Sequence, residues 1–266
     1  MKQIILSFTL FFLSLTLFSQ VNLVKLDSQL SENFSINVLE QNSQGLTLKL
    51  TNNSYYFKDV NTPRGESVIV RSPKARNNFP KGSPDLPIIP TSIMIPNQGG
   101  FSYNIISSEY VTVENIEIAP SKGTIYRNQD PETVPYEYGR EYFVDDFFPQ
   151  NSAFISEPFI VRDARGVNIS FFPFTYNAIQ KELRIYSEII LKITFTNDNF
   201  PNQIVNNNSK VSYEFSKLYE RHFVNFKSST KYTPIEEGTP GKILIIAKDA
   251  YASAMTPYIK WKLEKG

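Results

Sequence analysis

The chain has 266 residues, with 27 Lys and Arg against 26 Asp and Glu, a single His and no Cys. The balanced charge carries none of the basic footprint of nucleic-acid binding. The lack of Cys excludes disulfide stapling, thiolate metal sites, cysteine lipidation and a cysteine nucleophile within this sequence. Stability must therefore come from an ordinary apolar core, for which 41% hydrophobic residues suffice, and 21 Phe and 15 Tyr beside many β-branched residues favour strands.

Met1-Lys2, the apolar run from Ile4 to Phe18 and the following "FSQ" have the form of a secretory signal peptide, with cleavage expected near Ser19 or Gln20. The run is short of the ~20 apolar residues that span a bilayer. No later segment approaches that length, so an exported product without a membrane anchor is expected. From Leu23 to Val211 the pattern is short strands between turn residues. "SINVLEQNSQGLTLKL" reads as two alternating stretches joined across "QNSQG", and "ESVIVRSP" and "FSYNIISSEYVTVENIEIAP" continue the theme. In "VNISFFPFTYNAIQKELRIYSEIILKITFTND", Leu183, Ile185, Ile189, Leu191, Ile193 and Phe195 fall on odd positions and line one face. Such repetition predicts an antiparallel sandwich or barrel.

The stretch "RNNFPKGSPDLPIIPTSIMIPNQGG" predicts an extended strap, because Pro80, Pro84, Pro87, Pro90 and Pro96 remove ladder donors and disfavour a central strand. In "SYEFSKLYERHFVNF" the period changes: Phe215, Leu218, Tyr219, His222, Phe223 and Phe226 sit three or four apart, which predicts a short amphipathic helix with an aromatic stripe. "KSSTKYTPIEEGTPG" reads as an exposed linker open to proteases. Beyond it, Ile243 to Ala247 predicts a strand covered on both faces. A helix follows from about Ala250 to Glu264, with Met255, Ile259, Trp261 and Leu263 as candidates for burial. A single β-α unit has no partner strands with which to form a sheet.

Residue chemistry offers little for catalysis. His222 lies on an aromatic helix face, where packing or surface exposure is the commoner fate, and no serine carries a nucleophile-elbow motif. No phosphate-cradling glycine loop or histidine metal cluster occurs. Asp145, Asp146 and Asp198 are candidates for calcium, but without EF-hand spacing they read as solvated loop charges. Trp261 and the tyrosines suggest sugar stacking less than cross-strand packing. Four basic stretches, "SKGTIYRNQD", "YGREYF", "VRDARG" and "SSTKYTP", read one by one as exposed turns or strand ends. In "VRDARG", a tight turn is expected, with Asp163 paired to Arg162 or Arg165.

Taken in order, "IAPSKGTIYR", "VPYEYGREY", "DDFFP", "SEPFIVRDARG", "YNAIQKELRIYSEI" and "YTPIEE", then "GKILIIAK" and "YIKWKLEKG", resemble the precursors of arginine-specific gingipains, a family of secreted bacterial cysteine endopeptidases. The resemblance is strongest from Tyr103 to Gly266, and "KGSPDLPIIP" extends it toward the N-terminus. It implies a signal peptide over 1–20, a propeptide domain over 21–231 and the start of the catalytic domain over 232–266. The expected fold is thus mainly β: an antiparallel sandwich-like prodomain with a short helix, then the first strand and helix of a truncated α/β caspase-like domain. The prodomain's implied roles are to assist folding and to keep the peptidase latent. Its implied partner is a gingipain-like catalytic domain, in cis or in trans, with neither nucleic acid nor membrane involved.

By the same resemblance Tyr232 begins the mature catalytic domain, so activation cuts between Lys231 and Tyr232. The family places Arg before that bond, and Lys is not an equivalent bidentate donor, so either the specificity is broader or another protease makes the cut. Arg127 matches the prodomain arginine that imitates a substrate side chain in the specificity pocket, and Arg127→Ala is expected to cost roughly 2–5 kcal/mol of inhibition if the pair is desolvated. Arg140, Arg162 and Arg165 have no such match. The family's catalytic His and Cys lie beyond the sequence, as does its C-terminal secretion module, so no catalytic residue is assigned here. No metal site or cofactor is expected in this chain, and calcium in the missing catalytic domain is left open. Two other readings stand beside this one: a stand-alone peptidase inhibitor or folding assistant, and a secreted β-sandwich module for adhesion or glycan binding.

Overall fold

Alternation of apolar and polar residues over most of the chain resolves into paired strands. The structure, a computed structural model, describes residues 23–26, 33–205, 213–227 and 243–265. The predicted signal peptide with Ser19 and Gln20, and the predicted linker with Lys231 and Tyr232, lie outside the described residues. In chain order the strands are β1 (Val24–Lys25), β2 (Ser35–Asn42), β3 (Gly45–Thr51), β4 (Ser54–Thr62), β5 (Gly65–Arg71) and β6 (Ile89–Met94). They continue with β7 (Gly100–Val113), β8 (Ala153–Ile155), β9 (Phe159–Val161), β10 (Ala164–Phe171), β11 (Phe174–Asn177) and β12 (Glu182–Thr196). The helices are α1 (Tyr213–His222) and α2 (Ala252–Lys265).

The pairings between these strands are all antiparallel. One sheet runs β11-β12-β3-β2, with β7 along the opposite edge of β12; a second runs β6-β10-β8, with β9 also on β10; a third runs β1-β4-β5. The fifteen-residue β12 organises both main cores. Its Ile189, Leu191 and Ile193 join Leu46, Leu48 and Leu50 of β3 against Ile89, Ile93, Val167, Ile169 and Phe171 of the second sheet. Its Leu183 and Ile185 join Phe174 and Tyr176 against Tyr55, Val70, Leu86, Ile118 and Tyr142 over the third sheet. The odd-numbered face read from sequence is therefore the buried one, with Phe195 partly buried at its end. Fully burying each such side chain contributes about 1.5–3 kcal/mol, which makes this strand the spine of the fold.

The β2–β3 turn is closed by Asn42, whose Oδ1 accepts from the N–H groups of Gln44 at 2.8 Å and Gly45 at 3.1 Å. The Pro-rich strap is extended as expected, and its β6 portion is a sheet edge, with Pro90 opposite Ser170. The outer side of β6 is covered by the segment after α1. Val224 N–H donates to Ser92 O at 3.0 Å, and the Asn225 side-chain amide accepts from Met94 N–H at 2.7 Å and donates to Met94 O at 2.8 Å. A side-chain amide thus stands in for the next strand and blunts the edge.

Tyr219 of helix α1 and Phe223 just after it are buried against Ala164, while Leu218 stays 46% exposed. His222 is exposed and meets Phe159 and Phe223 edge-on, in keeping with a packing role. Residues 243–248 correct the expectation of a buried strand. They pair with no strand among the described residues, and Leu244 and Ile246 are 84% and 90% exposed. An apolar run becomes a strand only when a neighbour satisfies its backbone. The helix predicted next is present as α2, but it buries no residue, so Met255, Ile259, Trp261 and Leu263 are not core. Among the described residues, no helix is long and apolar enough to cross a membrane.

Candidate inhibitory loop

Between Val113 and Ala153 the chain runs without a strand, and its outermost part, 121–139, is a loop whose two ends meet at one glycine. Gly82 N–H donates to Ser121 O at 2.9 Å, and Gly139 N–H donates to Gly82 O at 2.9 Å. The backbones cross so closely that a Cβ on Gly82 would lie 3.0 Å from Gly139 N, and one on Gly139 would lie 3.0 Å from Gly82 O. Gly82 also has φ of +93°, a conformation that side chains disfavour. The outgoing leg is pinned further: Ser121 N–H donates to Ser83 O at 2.7 Å, and Ser121 Oγ donates to Phe79 O at 2.9 Å while accepting from Gly123 N–H at 3.0 Å. Compact surface loops with joined ends are frequent carriers of function.

Arg127 is at the tip of this loop. Gln129 N–H donates to Tyr126 O at 2.9 Å, and Gln129 Oε1 accepts from Tyr126 N–H at 3.2 Å, closing a turn with Arg127 and Asn128 at its centre. Asp130 then caps the 3-10 turn Pro131–Thr133 by accepting from Glu132 N–H at 3.0 Å. Lys122 Nζ crosses the loop to Pro131 O at 2.7 Å and lies 4.4 Å from the Tyr136 ring centroid. Arg127 is exposed, its neighbour Tyr126 is 69% exposed, and no hydrogen bond, ion pair or ring contact holds the Arg127 guanidinium among the described residues. The result is an ordered turn with a free cation at its point.

Among the arginines of the other basic stretches, Arg162 and Arg165 are held, whereas Arg140 is exposed and, like Arg127, has no side-chain partner among the described residues. Arg140 opens the 3-10 turn Arg140–Phe143 at the foot of the loop. Arg162 sits in the β9–β10 turn, 3.7 Å from Asp163 Oδ1 and 4.2 Å from the Phe215 ring centroid. Asp163 therefore pairs with Arg162 as one of the two expected partners, and it also accepts from the Tyr219 hydroxyl. Arg165 corrects its reading as an exposed turn residue: it is 1% exposed, and its guanidinium donates to Pro96 O and Gly99 O, both at 2.9 Å, and to Pro201 O at 2.8 Å. Burial lowers its pKa.

Asp145 is likewise satisfied by side-chain amides, accepting from Asn177 at 2.8 Å and Gln180 at 2.9 Å. Among the described residues, no three His, Asp or Glu side chains gather as a metal site. Sequence reasoning missed Gly82, Gly139 and Gln129, since their roles appear only once distant backbone segments meet. The paired motifs "KGSP" and "YGRE" were the one local signal for the crossing.

Residues 27–233 match the family model Propeptide_C25. Gingipain R1 of Porphyromonas gingivalis is 33% identical over 241 residues, covering 90% of this chain and 24% of that protein. Gingipain R2 of P. gingivalis is 34% identical over 210 residues, covering 79% of this chain and 28% of that protein. The chain thus spans about a quarter of the length of these relatives. Among solved structures, the complex of P. gingivalis RgpB pro- and mature domains matches with a TM-score of 0.67 at 31% identity, covering 72% of this chain and 98% of the matched one. On this agreement of sequence, fold and extent, the chain belongs to the Propeptide_C25 family, the gingipain propeptides.

Proposed function

We propose that residues 21–231 act as the latency domain of an exported gingipain-type cysteine peptidase, assisting its folding and holding it inactive with Arg127 in the specificity pocket. The observation that carries this reading is the free guanidinium of Arg127 on an ordered turn. An arginine-selective pocket needs a buried carboxylate, and a presented guanidinium satisfies it with paired, charge-assisted hydrogen bonds. Because the stem at Gly82 and the turn at Gln129 are already formed, little entropy remains to be lost on docking, which favours affinity. The matched RgpB structure is a complex of pro- and mature domains, which supports a catalytic domain as the partner.

The matched region ends at residue 233, beside the Lys231–Tyr232 bond, which supports activation there. With Lys before that bond, cleavage falls to a protease that accepts lysine. Export through the signal peptide with cleavage near Ser19 or Gln20 belongs to the same reading.

The test is steady-state inhibition of mature Gingipain R1 by the full chain, with an arginyl-amide reporter substrate. Competitive inhibition is expected: apparent KM rises and kcat is unchanged. Absence of inhibition, or inhibition that lowers kcat alone, overturns the proposal.

A further inference from the structure

The return leg of the Arg127 loop is held by a side chain from a different sheet. Arg64 lies in the turn between β4 and β5, and its guanidinium carbon sits 3.9 Å from the Tyr138 ring centroid, 5.2 Å from that of Phe143 and 5.7 Å from that of Tyr142. From the same turn, Thr62 Oγ1 accepts a hydrogen bond from the Tyr138 hydroxyl at 2.7 Å. Tyr138 packs edge-on against Tyr142 at 4.7 Å, and Tyr142 is anchored in the core, where its hydroxyl donates to Ile118 O at 2.9 Å. Tyr138 immediately precedes Gly139, the residue that closes the loop on Gly82. A cation over the electron-rich face of one tyrosine, next to two more rings, ties the loop's foot to the β4–β5 turn.

We infer that Arg64 is a positioning residue for Arg127: it fixes the return leg, so that the tip meets the peptidase already shaped. The inference rests on the inhibitory reading of Arg127. Residues 124–133 are exposed apart from the half-buried Ile125, so the core contributes little to holding them in place. Besides the hydrogen bonds within the loop, their order depends on the stem: the Gly82 crossing, the exposed Lys81–Glu137 ion pair at 2.6 Å and the Arg64–Tyr138 contact beside it. Arg64 is itself exposed, so replacing it leaves the cores intact.

The experiment compares the full chain with Arg64→Ala, Arg64→Lys, Tyr138→Phe and Arg127→Ala. It measures amide hydrogen exchange over 121–139 without peptidase, and inhibition of mature Gingipain R1. Arg64→Ala is expected to speed exchange within this loop and to weaken inhibition by roughly two- to fivefold, the range set by a cation–π contact at an exposed site. The thermal midpoint should stay unchanged. Arg64→Lys should recover part of both effects, and Tyr138→Phe, which keeps the ring, should lose less than Arg64→Ala.

Unchanged exchange in Arg64→Ala overturns the inference, as does faster exchange with undiminished inhibition. If Arg127→Ala inhibits like the unaltered chain, the inhibitory reading itself has failed, an outcome separable from failure of Arg64 as its support.

Discussion

Replacing Arg165 by Met tests which of two opposing terms governs the most deeply buried charge in the fold. The guanidinium makes three hydrogen bonds to carbonyl oxygens of Pro96, Gly99 and Pro201, and its Nε has no partner. Hydrogen bonds to a charged group contribute ~1.5–3 kcal/mol each, so three give on the order of 4–9 kcal/mol. Against this stands the desolvation of an ion without a counter-charge among the described residues, several kcal/mol. Methionine keeps much of the bulk and removes the charge, but it leaves three carbonyls short of a donor, at ~1–3 kcal/mol each where no water replaces it.

The carbonyls win this comparison, because the guanidinium ties the β6–β7 connection and the segment after β12 to β10 at once. Arg165→Met is predicted to lower unfolding stability by about 3 kcal/mol, and Arg165→Ala by more, through the cavity it adds. Urea unfolding followed by far-UV circular dichroism measures this as a shift in midpoint at constant slope. A methionine variant as stable as the original chain, or more so, would refute the reasoning: the three bonds would then only offset desolvation.

Asn225→Ala removes both hydrogen bonds to Met94 and exposes the β6 edge, for an expected loss of about 2–3 kcal/mol in the same unfolding assay. Gly139→Ala places a Cβ 3.0 Å from Gly82 O; limited proteolysis should show faster cutting within 121–139 while the far-UV spectrum stays the same. The alkaline limb of stability has a definite sign. Tyr219 is pushed up to about 12 by burial and by its hydrogen bond to Asp163, and Tyr176 is pushed up to about 12 chiefly by burial. The folded state keeps these protons when the unfolded state, with ordinary tyrosines near pH 10, has lost them. Their contribution is therefore complete below pH 10 and disappears between about pH 10 and 12. Tyrosinate absorbance should rise together with unfolding in that window, and Tyr219→Phe should flatten the fall.

What could be read in the sequence was whatever local periodicity decides. The odd positions of β12, the Asn42 turn and the helix α1 each depend on neighbours within a few residues and are present, although Leu218 and His222 of the expected stripe are exposed. The Pro-rich strap was legible for the same reason, since a missing N–H excludes a central position. What could not be read depends on distant segments. Arg127 and Arg165 both stand in short basic stretches, yet one is exposed at a tip and the other is 1% exposed among carbonyls. Nothing within five residues distinguishes them, because the carbonyls of Pro96, Gly99 and Pro201 are far off in sequence. Residues 243–247 failed in the opposite way: a strong local strand pattern finds no partner among the described residues. Arg127 stands out by family resemblance and by the loop's geometry; its residue type alone says nothing.

The central claim is that Arg127 itself makes the chain an inhibitor. The most direct measurement is the inhibition constant of the Arg127→Ala chain against mature Gingipain R1, beside Arg140→Ala as a control from the same region. The account predicts that Arg127→Ala weakens inhibition by about 2–5 kcal/mol, the range for truncating one member of a desolvated charge pair. Arg140→Ala should stay within a few tenths of a kcal/mol, as at sites away from the contact. Equal inhibition by all three proteins would contradict it.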